Sequence, residues 1–550
     1  MPQRVNNRAL GHEVSAGREA QNTELPREDP GPGQRLGTVR YLRLLVFVSG
    51  FTTLGVELAA SRLLDPWFGD SLIVWACLIG LILLYLSVGY WLGGRLADRS
   101  PQLVTLLRLT GLGAALVGLI PLAAQPVLRL ASGGLADLDA GLLAGSMAAV
   151  LVLFAVPVTL LGCTGPFVIR LLLQDVAGGG KVAGQVYALS TAGSILGSFL
   201  PVLWLIPVIG TRRTFATLAG VLLVVVIAGL LQARRTWDTL LAVLALAAVL
   251  AAGWGTSGAI KPAPGLVYET ESAFNYIQVV DTPYERQLRL NEGEGIHSVY
   301  RPAGELADGI WDYFLLAPAF NPAPYRPSQV QNVCLLGLGA GTTANLYTQA
   351  YGPVPIDGAE LDPAIIDVGR RYFDMNEPNL HVFAMDGRRF LAVDGGSYDM
   401  IGVDVYRPPY IPFQMTTAEF FALARDHLTP DGVVAVNVGR THTDFSLVDA
   451  VAATMQRVFP SVYIVDEPDE GSTLGNSLVV GTRQPTKLAD FRTNLGAFSQ
   501  PMLAEVGRRM APDARIATPP PGTPVFTDDR APVEQVVHAL ILRQLLASRR

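Results

Sequence analysis

The chain of 550 residues is 50% hydrophobic and only 16% charged, too apolar and too charge-poor for an ordinary water-soluble protein, so a membrane protein is the first expectation. A formal net charge of -6 without any long basic stripe argues against nucleic acid as a partner. Three cysteines, Cys77, Cys163 and Cys334, and six unclustered histidines supply neither a disulfide framework nor a metal-ligand spacing, so no metal site is expected.

Residues 1–39 are polar, lack the apolar core of a signal peptide, and read as a disordered cytoplasmic tail. Apolar runs follow near 44–64, 72–92, 103–124, 141–163, 186–209, 214–232 and 237–255, each long enough to cross a bilayer core of ~30 Å. Residues 40–256 are therefore expected to form a transmembrane domain of about seven helices, a cell-membrane protein with the lipid bilayer as partner. Arg40 and Arg43 precede the first run, Arg95 and Arg99 follow the second, Arg170 and Lys181 the fourth, and Arg234 and Arg235 the sixth. Basic residues are retained on the cytoplasmic side, which places these loops there.

Seven crossings would put the residues after 256 outside, whereas a nucleotide-dependent enzyme needs its co-substrate inside. The soluble domain is expected in the cytoplasm, which requires an even number of crossings. The long stretch 141–175, broken by Pro157 and Pro166, is the candidate for a re-entrant segment. Glu57, inside the first span, is expected to pair with Arg62 or to lie near the interface, with binding of a cation as the alternative. The small-residue run Ala192-Gly193-Ser194-Ile195-Leu196-Gly197-Ser198 suits close helix packing, and Gly93-Gly94-Arg95-Leu96-Ala97-Asp98-Arg99 resembles a cytoplasmic loop of major facilitator transporters.

Beyond Trp254, glycine, proline and charge return, and 265–325 reads as a small β-region because apolar and polar residues alternate from Val267. Residues 326–550 read as a Rossmann-like α/β domain. Val330–Leu336 is a buried strand, and Gly337-Leu338-Gly339-Ala340-Gly341 opens a helix from about Thr342 to Ala350. Glycines let backbone approach a ligand closely, and a helix N-terminus offers unpaired N–H groups. Glu360, about 20 residues further on at the next strand end, is placed to hold ribose hydroxyls. Asp386-Gly387 follows another strand, and Tyr398-Asp399-Met400-Ile401-Gly402-Val403-Asp404 is a fourth strand ending in a carboxylate. A buried strand, Val433 to Val438, comes after Leu428-Thr429-Pro430-Asp431-Gly432.

In this order the segments resemble the adenosylmethionine-type Rossmann fold and, more closely, the polyamine aminopropyltransferase (spermidine synthase) family, from about Val267 to Glu534. Gly475-Asn476-Ser477 and Thr527-Asp528-Asp529-Arg530-Ala531-Pro532-Val533-Glu534 match its C-terminal portion. With its N-terminal spans the chain resembles the membrane-attached bacterial branch, a fused transporter-like spermidine synthase. The resemblance implies aminopropyl transfer from decarboxylated adenosylmethionine, a co-substrate rather than a bound cofactor, to a diamine such as putrescine, giving spermidine and methylthioadenosine. It assigns Glu360 to the ribose, Asp386 and Gly387 to the adenine, Gly337, Gly339 and Gly341 to the donor loop, and Asp404 to the proton from the attacking amine. It also allows a homodimer.

The chain departs from the family's pattern at four places. Ala340 stands where an aspartate holds the donor's amine, and Arg407 where a second aspartate follows the proton acceptor. Trp311-Asp312-Tyr313 replaces a Tyr-His-Glu triplet, and Asn275 stands for a glutamine that contacts the nucleoside. Asp312, Asp308 and Glu294 are candidates to restore acidity, with Asp312 and Tyr406 expected to meet the substrate. Two other readings stay open: methyl transfer from intact adenosylmethionine, and a polyamine transporter or sensor whose soluble domain binds ligand without catalysis.

Overall fold

The computed structural model describes residues 32–68, 72–133, 141–173, 178–255, 260–291, 295–301, 305–406, 411–468 and 474–547. Residues 1–31 of the expected tail lie outside them, as do Glu294 and Arg407. Helix α1 spans Pro32–Phe68, so residues 32–39 are helical rather than tail. Proline lacks the N–H that a first helical turn leaves unpaired, and its fixed φ starts a helix readily.

The N-terminal half continues as α2 (Leu72–Arg99), α3 (Leu103–Gly133), α4 (Gly141–Gly162), α5 (Thr164–Leu172), α6 (Gly179–Leu200), α7 (Ile206–Gln232) and α8 (Thr236–Trp254). Six continuous helical stretches among the described residues are long and apolar enough to cross a membrane, where the sequence suggested seven separate runs. The difference lies in Gly179–Gln232, a 54-residue stretch in which α6 and α7 are joined without a loop. Its two parts nevertheless run in opposite directions.

Along α1, a Cβ at Gly50 would meet Ser190, one at Gly193 would meet Phe47, one at Gly197 would meet Phe51, and Gly55 faces Pro201. From Phe47 with Gly193, through Phe51 with Gly197, to Gly55 with Pro201 the residue numbers rise together, so α1 and α6 are parallel. Against α7, Tyr41 donates to the Val225 carbonyl (3.0 Å) and Thr52 to that of Leu218 (3.3 Å), so α7 is antiparallel to α1. The reversal falls at Gly210, whose φ of 80° and ψ of 165° suit only glycine. The stretch 179–232 therefore traverses the bundle twice.

The small residues of 192–198 serve packing: no side chain larger than hydrogen fits at Gly193 or Gly197 against the α1 backbone. The 141–175 stretch is not re-entrant. Gly89 faces Thr159 and Gly93 faces Cys163, which sets α4 and α5 parallel to α2 as one traverse, with Cys163 only a local break. Arg62 lies 3.8 Å from Asp65, three residues along the same helix, and its guanidinium also donates to the Ala273 carbonyl. The pairing expected with Glu57 is not the one made.

The globular half opens with a four-stranded antiparallel sheet, β1 (Leu266–Glu271), β2 (Tyr276–Asp281), β3 (Arg286–Leu290) and β4 (Ile296–Tyr300). A short helix, α9 (Ile310–Phe314), leads to the main sheet: β5 (Val333–Leu336), β6 (Ile356–Glu360), β7 (Leu380–Ala384), β8 (Tyr398–Val403), β9 (Leu428–Thr441), β10 (Ser461–Asp466), β11 (Leu474–Thr482) and β12 (Ala514–Ile516). Its order is β12-β10-β11-β9-β8-β5-β6-β7, with β7 to β9 parallel and β10, β11 and β12 paired antiparallel. Helices α10 (Thr342–Tyr351), α11 (Pro363–Tyr372) and α12 (Gly387–Val393) follow β5, β6 and β7. Separate apolar clusters fill the two faces of this sheet. Strand order reverses between β5 and β8, and the crevice beyond their C-terminal ends is where such sheets bind ligands.

The two halves meet through specific bonds. Glu271, on β1, accepts from the Thr211 amide (2.7 Å) and hydroxyl (2.5 Å), capping the turn that restarts α7 after Gly210. Lys261 Nζ donates to the Pro66 carbonyl at the end of α1 (2.8 Å) and lies over the Trp67 ring. The globular domain thus joins the end of the bundle opposite the one where α1 begins.

Candidate active site

The glycine loop after β5 is conformationally committed. Gly337, Gly339 and Gly341 have φ of 82°, 57° and 93°, a region that L side chains avoid. A Cβ at Gly337 would collide with the Asp404 carbonyl, and one at Gly339 would stand 2.7 Å from Ser298 Oγ. Gly341 caps α10, which sets the N-terminus of that helix beyond the C-terminal end of β5. Ala340 is buried in the apolar cluster of the small sheet, and its amide donates to Ser298 Oγ (2.8 Å). The site expected for an acid is a packed backbone position.

Glu360 ends β6 beside this loop, accepting from the amides of Gly339 (2.9 Å) and Asp362 (3.0 Å). Burial outweighs those bonds and pushes its carboxyl up to about 7. Asp386 caps α12 by accepting from the Arg389 amide (2.9 Å), and Gly387 is buried, with room for a Cβ only 3.1 Å from Leu336. All these residues gather at the C-terminal ends of β5, β6 and β7.

Asp404 follows β8 at the reversal point. Its Oδ1 accepts from Asn437 Nδ2 on β9 (2.9 Å), and the Trp311 side chain on α9 also donates to it. Burial pushes this carboxyl up to about 6, the two hydrogen bonds opposing the rise. Such a carboxylate is a proton acceptor near neutral pH. The Tyr406 hydroxyl accepts from the Gly439 amide, and its pKa is raised chiefly by burial, with the nearby Asp404 carboxylate adding to the rise.

Two expected ligand residues are otherwise engaged. Asn275 donates to Asp362 Oδ2 (2.9 Å) and accepts from Asn291 (3.2 Å), tying the small sheet to the start of α11. Asp312 is fully buried and accepts from the amides of Ala307 (2.8 Å) and Asp308 (3.0 Å), with Arg509 at 3.7 Å, so it closes its own loop. Asp308 is taken by Arg301 and Arg509. Sequence reasoning missed Trp311 and Asn437 as partners of Asp404. Asn437 does carry a signal, being the one amide within the apolar run Val433–Val438.

Glycine loop, strand-end acid and reversed strand order together define a Rossmann-like, nucleotide-binding type of α/β domain. Residues 351–468 match the family model described as "Spermine/spermidine synthase domain". A "Probable polyamine aminopropyl transferase" of Bifidobacterium longum is 31% identical over 296 residues, 50% of this chain and 63% of the relative. A "Polyamine aminopropyltransferase" of Vibrio vulnificus is 28% identical over 192 residues, 34% of this chain and 61% of the relative. The chain thus spans about three fifths of the length of these curated relatives. A probable spermidine synthase structure from Corynebacterium glutamicum is similar with 21% identity and a TM-score of 0.39, covering 49% of this chain and 97% of that one. Within the globular half, residues 351–468 are thus similar to the spermine/spermidine synthase domain, and the similarity to polyamine aminopropyltransferases extends over 50% of the chain.

Proposed function

We propose that the globular half transfers an aminopropyl group from decarboxylated adenosylmethionine to a primary amine acceptor, a diamine such as putrescine being the simplest, while the helical half holds it in a membrane. The observation that carries this reading is Asp404, whose buried carboxyl is pushed up to about 6 and whose backbone carbonyl packs against Gly337 of the glycine loop. The donor's ribose would rest on Glu360 and its adenine near Asp386 and Gly387. The acceptor ammonium loses a proton to Asp404, and its nitrogen pair attacks the methylene carbon bonded to the sulfonium. As the C–N bond forms, the C–S bond breaks and its electron pair stays on sulfur, leaving neutral methylthioadenosine. The leaving group is already activated, so Asp404 has only to accept the proton.

Methyl transfer from intact adenosylmethionine is a second reading, favoured by Ala340. With no acid there, nothing at that position repels the donor's own carboxylate. Calorimetric titration of the detergent-purified protein with decarboxylated and intact adenosylmethionine, then product analysis with putrescine, separates the two. Spermidine formed from the decarboxylated donor, and lost in Asp404→Asn, is the expected result. Preference for the intact donor would replace the proposal with methyl transfer.

A further inference from the structure

We infer that the globular domain, with its Asp404 crevice, stands on the extracytoplasmic face of the membrane. The direction of every helix follows from its neighbours. α3 is antiparallel to α4, since Gly113 meets Leu160 and Gly145 meets Ala131. It is likewise antiparallel to α7, Gly111 meeting Val226 and Gly118 meeting Ala219. α8 is parallel to α3, with Arg108 bound to Asp238 (2.9 Å) and Gly118 against Val249. With α1 parallel to α6 and α2 parallel to α4 and α5, the chain makes seven traverses, and it leaves α8 on the face opposite its entry.

Charge distinguishes the two faces. On the entry face each connection between helices carries a basic pair, Arg95 and Arg99, Arg170 and Lys181, or Arg234 and Arg235, and Arg40 and Arg43 lead into α1. On the other face the connecting sequences 69–71 and 134–140 contain Asp70, Asp137 and Asp139 and no Lys or Arg. Its flanking cations Arg62 and Lys261 are bound to carbonyls where the two halves meet. Arg129, Arg212 and Arg213 also lie on that face, which with Arg62 and Lys261 still holds fewer cations than the entry face. Short basic loops are retained in the cytoplasm, so the entry face is cytoplasmic and the globular domain lies across the membrane from it.

The clamp between Glu271 and Thr211, together with Lys261 on Pro66, excludes a tethered domain swinging round to the entry face. One functional consequence rests on the aminopropyl-transfer reading: donor and acceptor, both cations, are then drawn from the extracytoplasmic compartment. The class of step that supplies the donor must therefore include its passage out of the cell.

The three native cysteines are buried and should be silent to maleimides, so single reporters can be added. Tyr284, at the tip of the β2–β3 hairpin, is 85% exposed, and Thr236, opening α8 on the entry face, is also exposed. A membrane-impermeant maleimide applied to spheroplasts expressing the full chain should label Tyr284→Cys at once and Thr236→Cys only after permeabilisation. The reverse pattern, labelling of both before permeabilisation, or of neither, would overturn the inference. None of these readouts involves activity, so the result is independent of whether aminopropyl transfer is the right reaction.

Discussion

Replacing Asp404 by asparagine should stabilise the protein while abolishing its chemistry. Burial lifts the Asp404 carboxyl from 3.8 to about 6, a difference that corresponds to up to about 3 kcal/mol. The folded pKa lies above the unfolded one, so the folded chain holds this proton more tightly. The contribution to stability is complete below pH 3.8 and declines as pH rises to about 6, above which up to about 3 kcal/mol has been lost. An amide keeps an acceptor for Asn437 and Trp311 but carries no charge at any pH. The Asp404→Asn variant should therefore melt higher than the parent at pH 8, by roughly 6 °C for a domain of this size, and close to it at pH 4. Thermal melts of the full chain in detergent at both pH values test this, alongside product formation from pH 5 to 8. The parent rate should rise through about pH 6, and the variant should form no product. A stability difference that is the same at both pH values, or a parent rate flat through pH 6, would refute the argument.

Other outcomes follow from the same geometry. Trp311→Phe removes one donor to Asp404; a hydrogen bond to a charged group is typically worth ~1.5–3 kcal/mol, so kcat/KM should fall about 10–100-fold and the acid limb of the pH–rate profile should move upward. Glu360→Gln should weaken methylthioadenosine binding at least about tenfold by calorimetry and leave the acceptor KM unchanged. In the parent, donor affinity should rise between pH 6 and 8, because burial holds Glu360 partly protonated up to about 7. Gly193→Val drives a side chain into the Phe47 carbonyl; thermal melts should show loss of the helical bundle, with methylthioadenosine binding by the globular half retained.

What the sequence discloses about this site depends on how local the determinants are. Gly337, Gly339, Gly341 and Glu360 are legible because a strand, a tight turn and a helix N-terminus leave their mark within about twenty residues. The carboxylate after the fourth strand is legible in the same way, and the structure sets Asp404 at the reversal point. Its partners are not, because Trp311 and Asn437 meet it only through chain crossings that no local pattern encodes. Asp312 was expected to face a substrate, yet it turns back onto the amides of Ala307 and Asp308; a sequence shows that a residue is acidic and not where its oxygens go. In the membrane half, hydropathy places the apolar segments, but the joining of α6 to α7 and the reversal at Gly210 depend on one backbone conformation.

The carboxylate of Glu271 lies 60 positions beyond the Thr211 amide that it caps. A helix of the apolar bundle thus receives its terminal partner from a strand made much later in synthesis. Until that strand has folded, the turn after Gly210 keeps an unpaired amide at the end of the apolar bundle. The bundle is therefore completed by the globular domain, and a chain cut after α8 should leave the start of α7 frayed even with every apolar segment present.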